Sequence, residues 1–161
     1  MTDSEYNKTV DLYADGIYRF ALKHVKNSMA AQDIVQETFT KVWMKHTDVS
    51  YSKAKSYLFT TAYHLIVDLM KQESRNGEFN EWESKGSVDP IEAFDLQSIL
   101  HQALDKLPQI QKTVILLRDY EGYHYAEIAE ITSLNESQVK VYIFRARQTL
   151  KAYLKQIELL V

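Results

Sequence analysis

The sequence predicts an all-α protein: two small helical domains joined by a flexible acidic linker, the second domain a helix-turn-helix. Three observations predict it. Apolar residues recur three or four apart along most of the chain, the period of a helix with one buried face. Only four Gly and two Pro occur among 161 residues, too few turn-makers for the many hairpins of an all-β fold. Charge is unevenly spread: residues 76–99 hold one Lys against six acids, while residues 136–161 hold five bases against two acids.

The elements follow in order. Val10, Tyr13, Ile17, Phe20, Ala21, His24 and Val25 predict a helix near 5–26. Ile34, Val35, Thr38, Phe39, Val42 and Trp43 share one broad inward face of a second, near 30–46. Tyr57, Leu58, Thr61, Ala62, Leu65 and Leu69 predict a third, near 53–73, which closes a first domain over 1–75. Asn27-Ser28 and Asp48-Val49-Ser50 supply the breaks. Ser28 is expected to cap the second helix, because a hydroxyl there accepts from the free backbone N–H groups. The period lapses over 74–90, which holds two of the four Gly and one of the two Pro, so 76–95 reads as the linker. Asp89 and Pro90 suit a helix start, followed by Ile91, Phe94, Ile99, Leu100, Ala103, Leu104 and Leu107. Pro108 ends that helix and begins the next, with Ile110, Val114, Leu116 and Leu117 inward, and Gly122 stops it. A short helix near 124–131, a turn at 132–135 and a long helix from Glu136 to about Ile157 complete a second domain over 96–161.

Composition excludes several classes. Without Cys there is no disulfide framework, thiolate metal site or Cys nucleophile, and a reducing, cytoplasmic setting is expected. No run approaches the roughly 18 apolar residues of a membrane span, and the start of the chain lacks the pattern of a signal peptide. The net charge of −3 argues weakly against nucleic acid, but the basic last block reopens that possibility. No heptad seam is visible, so a monomer is expected.

Residues 125–143 have helix-turn-helix spacing. Ile128, Ala129, Leu134, Val139 and Ile143 are the apolar positions, with Ala129 small at the crossing, Leu134 plugging the turn, and Asn135 placed to cap the second helix. That arrangement leaves Ser137, Gln138, Lys140, Val141, Phe144 and Arg145 outward, where a helix entering a major groove about 12 Å wide presents side chains to base edges. Lys140, Arg145, Arg147 and Lys151 can neutralise phosphates.

The first domain carries two further constellations. Asp33, Gln36, Glu37 and Thr40 form a polar stripe on the second helix, suited either to docking or to plain solvation. Asp33 and Glu37, with His24 or His46, also raise a metal or acid–base reading, but no Glu-x-x-His or second carboxylate helix accompanies them, so neither a metal, a cofactor nor catalysis is expected. Residues 50–75 mix rings and bases: Tyr51, Lys53, Lys55, Tyr57, Phe59, Tyr63, His64, Lys71 and Arg75. Rings stack on unpaired bases at about 1–3 kcal/mol each while cations hold the backbone. The alternative is that Tyr57, Leu58 and Phe59 are core, as at least one must be.

Together these motifs resemble the extracytoplasmic-function (ECF) sigma factors of bacterial RNA polymerase, over about residues 6–75 and 96–155. Asp33-Ile34-Val35-Gln36-Glu37-Thr38-Phe39 is similar to that family's clamp-binding helix, and Tyr57-Leu58 through Asp68 to its promoter-melting segment. Residues 104–108 through 145–150 are similar to its C-terminal domain. The resemblance implies that Asp33, Gln36, Glu37 and Thr40 dock on the clamp of core polymerase. It implies that Tyr51, Lys53, Lys55, Tyr57, His64 and Lys71 meet the melted −10 element. Ser137, Gln138, Lys140, Val141, Phe144, Arg145 and Arg147 would read the −35 element as duplex. It further implies that the apolar surface of the 109–120 helix holds the polymerase flap, and that an anti-sigma factor is a partner. The family usually carries Trp where Tyr57 stands, Asn for His64, a basic residue for Met70 and Gly for Ser133. In the reading helix it commonly has Thr, Ser and Arg for Gln138, Val141 and Tyr142. A self-contained helix-turn-helix regulator is the alternative; it accounts for 100–155 but not for the stripe at 33–43 or the aromatic–basic stretch.

Overall fold

The computed structural model describes residues 1–76 and 96–160, and among them it holds α-helices, short 3₁₀ turns, one π-helical turn and no strand. These residues fall into two compact units. Of the expected linker only Asn76 is described, as the end of a helix; the rest lies outside the described residues, as do Asp89 and Pro90.

The first unit has three helices: α1 (Asp3–Val25), α2 (Ser28–Lys45) and α3 (Ala54–Asn76). Helix α1 starts on a capping box, in which the Glu5 N–H donates to Thr2 Oγ1 at 3.1 Å and the Thr2 N–H to Glu5 Oε1 at 2.8 Å. That second bond favours the ionised carboxyl and holds the Glu5 pKa below its ordinary value. The cap of α2 is Asn27, not Ser28: Asn27 is extended (φ −133°) and its Oδ1 accepts from the Ala30 N–H at 3.0 Å, while Ser28 is already helical. Two 3₁₀ turns, His46–Asp48 and Tyr51–Lys53, carry the chain into α3.

Ile17, Phe20 and Ala21 of α1, Ala31, Ile34 and Val42 of α2, and Leu58, Phe59, Ala62 and Ile66 of α3 are buried. Burying each large side chain contributes about 1.5–3 kcal/mol. Phe20 and Phe59 meet edge to face with centroids 5.5 Å apart. Of the ambiguous trio, Leu58 and Phe59 are core and Tyr57 is half-buried. Trp43 departs from its expected inward place: it is 43% exposed and lies flat on His46, with centroids 4.1 Å apart.

From residue 96 onward the chain holds α4 (Leu96–Asp105), α5 (Gln109–Ile115) with its π-helical continuation Leu116–Tyr120, α6 (Tyr125–Thr132) and α7 (Glu136–Leu160). Val114, Ile115, Leu116 and Leu117 are all buried. On the same helix Ile110 is half-buried and Tyr120 exposed. Lys112 is buried as well, and its ammonium is paired with Asp105 Oδ1 at 3.1 Å, as a buried charge requires. Gly122 closes the π turn at φ +74°, a left-handed conformation that suits glycine.

Candidate functional site

The helix-turn-helix consists of α6, a three-residue turn and α7. Ser133 ends α6 in the left-handed region (φ 60°, ψ 29°). Asn135 starts α7 as expected, through a reciprocal box: the Gln138 N–H donates to Asn135 Oδ1 at 2.8 Å, and the Asn135 N–H to Gln138 Oε1 at 3.0 Å. Val139, Ile143 and Ala146 form the buried stripe of α7, and Ile128 that of α6. Ala129 and Leu134 are half-buried. Ser137, Gln138, Lys140, Val141, Phe144, Arg145 and Arg147 are all exposed.

Arg147 stands apart from the others. Its guanidinium donates to both carboxylate oxygens of Asp119, at 2.7 and 3.4 Å, and the pair raises the arginine pKa further. It ties α7 to the π turn. Beside it, the Tyr125 ring lies between Arg118, 4.7 Å from its centroid, and Lys140, 5.6 Å away, two cation–π contacts. Arg118 also donates to the Tyr123 carbonyl at 2.8 Å. Sequence reasoning missed the Arg147–Asp119 brace because the two residues lie 28 apart along the chain.

In the first unit Asp33, Gln36, Glu37 and Thr40 line one exposed side of α2. Thr40 Oγ1 donates to the Gln36 carbonyl at 2.8 Å, and Glu37 makes a loose 3.8 Å pair with Lys41. Pairs this exposed contribute at most about 1 kcal/mol, so the carboxylate stays available. An open groove of ≈ 390 Å³ runs beside this stripe, lined by Ala14, Asp15 and Tyr18 of α1 and by Gln32, Val35 and Gln36 of α2. Asp15 and Tyr18 were not among the residues singled out; the helical period that places Ile17 inward was the signal for their flanking position.

The aromatic–basic set divides in two. Tyr51 and Lys53 are exposed on the second 3₁₀ turn, which is closed by the Lys53 N–H to the Ser50 carbonyl at 2.9 Å. Tyr57, His64 and Lys71 are seven apart on α3, a spacing that drifts only about 20° per step, so they form one stripe. Tyr57 is half-buried, and His64 and Lys71 are exposed; Asp68 is exposed close to the same line, and Lys55 is half-buried. Phe59, by contrast, belongs to the core.

The loop ahead of this set is anchored by His46. Its Nδ1–H donates to the Trp43 carbonyl at 2.6 Å and its Nε2–H to Asp3 Oδ1 at 2.7 Å. Both neighbours are acceptors, an arrangement that favours the protonated ring. The Trp43 carbonyl first, then the Asp3 carboxylate, raise its pKa against the opposing effect of burial. The Met1 amine donates to the carbonyls of His46 and Val49. His24, the other histidine weighed for acid–base work, is buried with Nδ1 2.8 Å from the Phe20 carbonyl. Among the described residues no group of three or more His, Asp or Glu is placed to hold a metal, and no helix is long and apolar enough to cross a membrane.

A helical unit followed by a helix-turn-helix unit defines the class of protein, and comparison makes it specific. Residues 9–76 match sigma-70 region 2 and residues 97–150 match sigma-70 region 4. The chain is 34% identical over 147 residues to the RNA polymerase sigma factor SigV of Bacillus subtilis, covering 88% of this chain and 86% of that one. It is 26% identical to the ECF RNA polymerase sigma factor SigM of the same organism, covering 88% and 90%. The sigma factor RpoE of Bartonella quintana, solved in complex with the anti-sigma factor NepR, superimposes with a TM-score of 0.77 at 26% identity, covering 93% of this chain and 96% of that one. The chain belongs to the sigma-70 family of RNA polymerase sigma factors, in its ECF group.

Proposed function

We propose that this sigma factor binds core RNA polymerase and directs it to promoters, with the work divided between the two units. In the first, Asp33, Gln36, Glu37 and Thr40 dock on the polymerase clamp, and the adjoining groove of Asp15 and Tyr18 extends that surface. Tyr51, Lys53, Lys55, Tyr57, His64 and Lys71 receive the melted −10 strand. Flipping a base costs a few kcal/mol in unstacking, and stacking on tyrosine offsets it. In the second unit Ser137, Gln138, Lys140, Val141, Phe144 and Arg145 read the −35 duplex, while Arg147, tied to Asp119, positions the helix. Flap contact falls to Tyr120 and Ile110. The protein works in the cytoplasm, and by analogy with the RpoE–NepR complex an anti-sigma factor is a partner.

The observation that supports this reading is the presence, in one chain, of both sigma-70 regions, each with exposed polar side chains on the helices assigned here. A stand-alone regulator would need only the second unit.

The test is reconstitution with core polymerase and transcription from a pool of random promoters. The wild-type chain should bind core and select a two-part promoter. Glu37→Lys should lose core binding while keeping its helical content. Arg145→Ala should lose about 1–3 kcal/mol at one −35 position if the arginine reads a base, and lose evenly across sequences if it touches phosphate. Failure of the wild-type chain to join core polymerase would overturn the proposal.

A further inference from the structure

We infer that Val141 and Phe144 of α7 select thymine in the upstream duplex by contact with its 5-methyl group, an inference that rests on the promoter-reading role proposed for this helix. Val141 is 45% and Phe144 62% exposed. They are three residues apart, hence neighbours on one helix surface, and that surface also carries Gln138 and Arg145. The packing of α7 is carried by Val139, Ile143 and Ala146 instead, each at most 2% exposed.

The surroundings of the pair point to DNA rather than to an acid-seeking or apolar protein groove. Lys140, Arg145 and Lys151 are exposed around it, and no acid occurs on α7 between Glu136 and Glu158. Along a major groove, the thymine 5-methyl is the apolar feature that a base pair offers. The polar route to an A·T pair is weakened here. Reading adenine with a glutamine needs both ends of the carboxamide, and Gln138 Oε1 already accepts from the Asn135 N–H at 3.0 Å, which leaves it one free lone pair and ties its orientation to the helix cap. The exposed pair offers an A·T base pair an apolar contact on its thymine side.

The test uses the full chain bound to core polymerase. A −35 duplex is first selected from a random pool, and each thymine in it is then replaced by uracil, which removes only the methyl. The wild type should bind about fourfold more weakly at one or two such positions, the worth of roughly one buried carbon. Val141→Ala and Phe144→Ala should bind thymine and uracil duplexes equally at those positions. A selected element without thymine, or uracil duplexes bound as tightly as thymine ones, would overturn the inference while leaving the promoter-reading role intact. Variants that lose affinity yet keep the full thymine preference would also overturn it. If no element is selected at all, the reading of the helix itself fails.

Discussion

Ser133 shows how a single residue records a compromise. It ends α6 at φ 60°, where an L side chain crowds its own backbone by about 1–2 kcal/mol and glycine does not. Ser133→Gly removes that strain but frees the unfolded chain, so the expected net gain is about 0.5–1 kcal/mol, read as a higher midpoint of thermal unfolding. An unchanged or lower midpoint would mean that the serine makes up its strain elsewhere. Thr38 is a second such residue. The hydroxyls of Thr9, Thr40, Thr60 and Thr61 each donate to the carbonyl four residues back, whereas Thr38 Oγ1 is buried with no hydrogen-bond partner among the described residues.

At the scale of elements, the link between α1 and the end of α2 is titratable. The folded pKa of His46 lies above the ordinary 6.5, so its contribution to stability is full below about pH 6.5 and is lost as pH rises through the folded value. Melting temperature should therefore fall as pH rises through that window. Asp3→Asn, which removes the carboxylate partner, should flatten the fall. Equal slopes for both proteins would refute the coupling. Helices α1 to α3 were legible in the sequence because their apolar period runs unbroken for several turns. The cap of α2 was not, since Asn27 and Ser28 are both good caps and only backbone conformation separates them. Trp43 obeyed the period on paper, but at the helix end its ring finds His46, a residue outside the periodic face. The outward residues of α7 were legible because Val139 and Ile143 fix which side packs. The tether of Arg147 was not, because its partner sits on a π turn for which the local sequence carries no signal.

At the scale of the whole molecule, the proposal is that residues 1–76 and 96–161 are two domains that fold separately. Chains of about 60 residues bury only about 60% of their unfolded surface, so each piece should be stable by a few kcal/mol at most. Residues 1–76 and 96–161, expressed as separate chains, should each give a helical circular-dichroism spectrum and a cooperative thermal transition. Aggregation of both pieces would count against the division. The same division explains why the interaction surfaces could be listed from the sequence only as expectations: exposed polar stripes look alike whether they meet a partner or water.

The ion pair between Arg147 and Asp119 has a consequence for how this protein responds to ionic strength. A cation already matched by a carboxylate displaces no condensed counterion when the helix meets DNA. On the proposed role of α7, the salt slope of upstream-duplex binding, about 0.9 per phosphate neutralised, should count Lys140, Arg145 and Lys151 and pass over Arg147, making that binding less sensitive to the cell's osmotic swings than the tally of basic residues suggests.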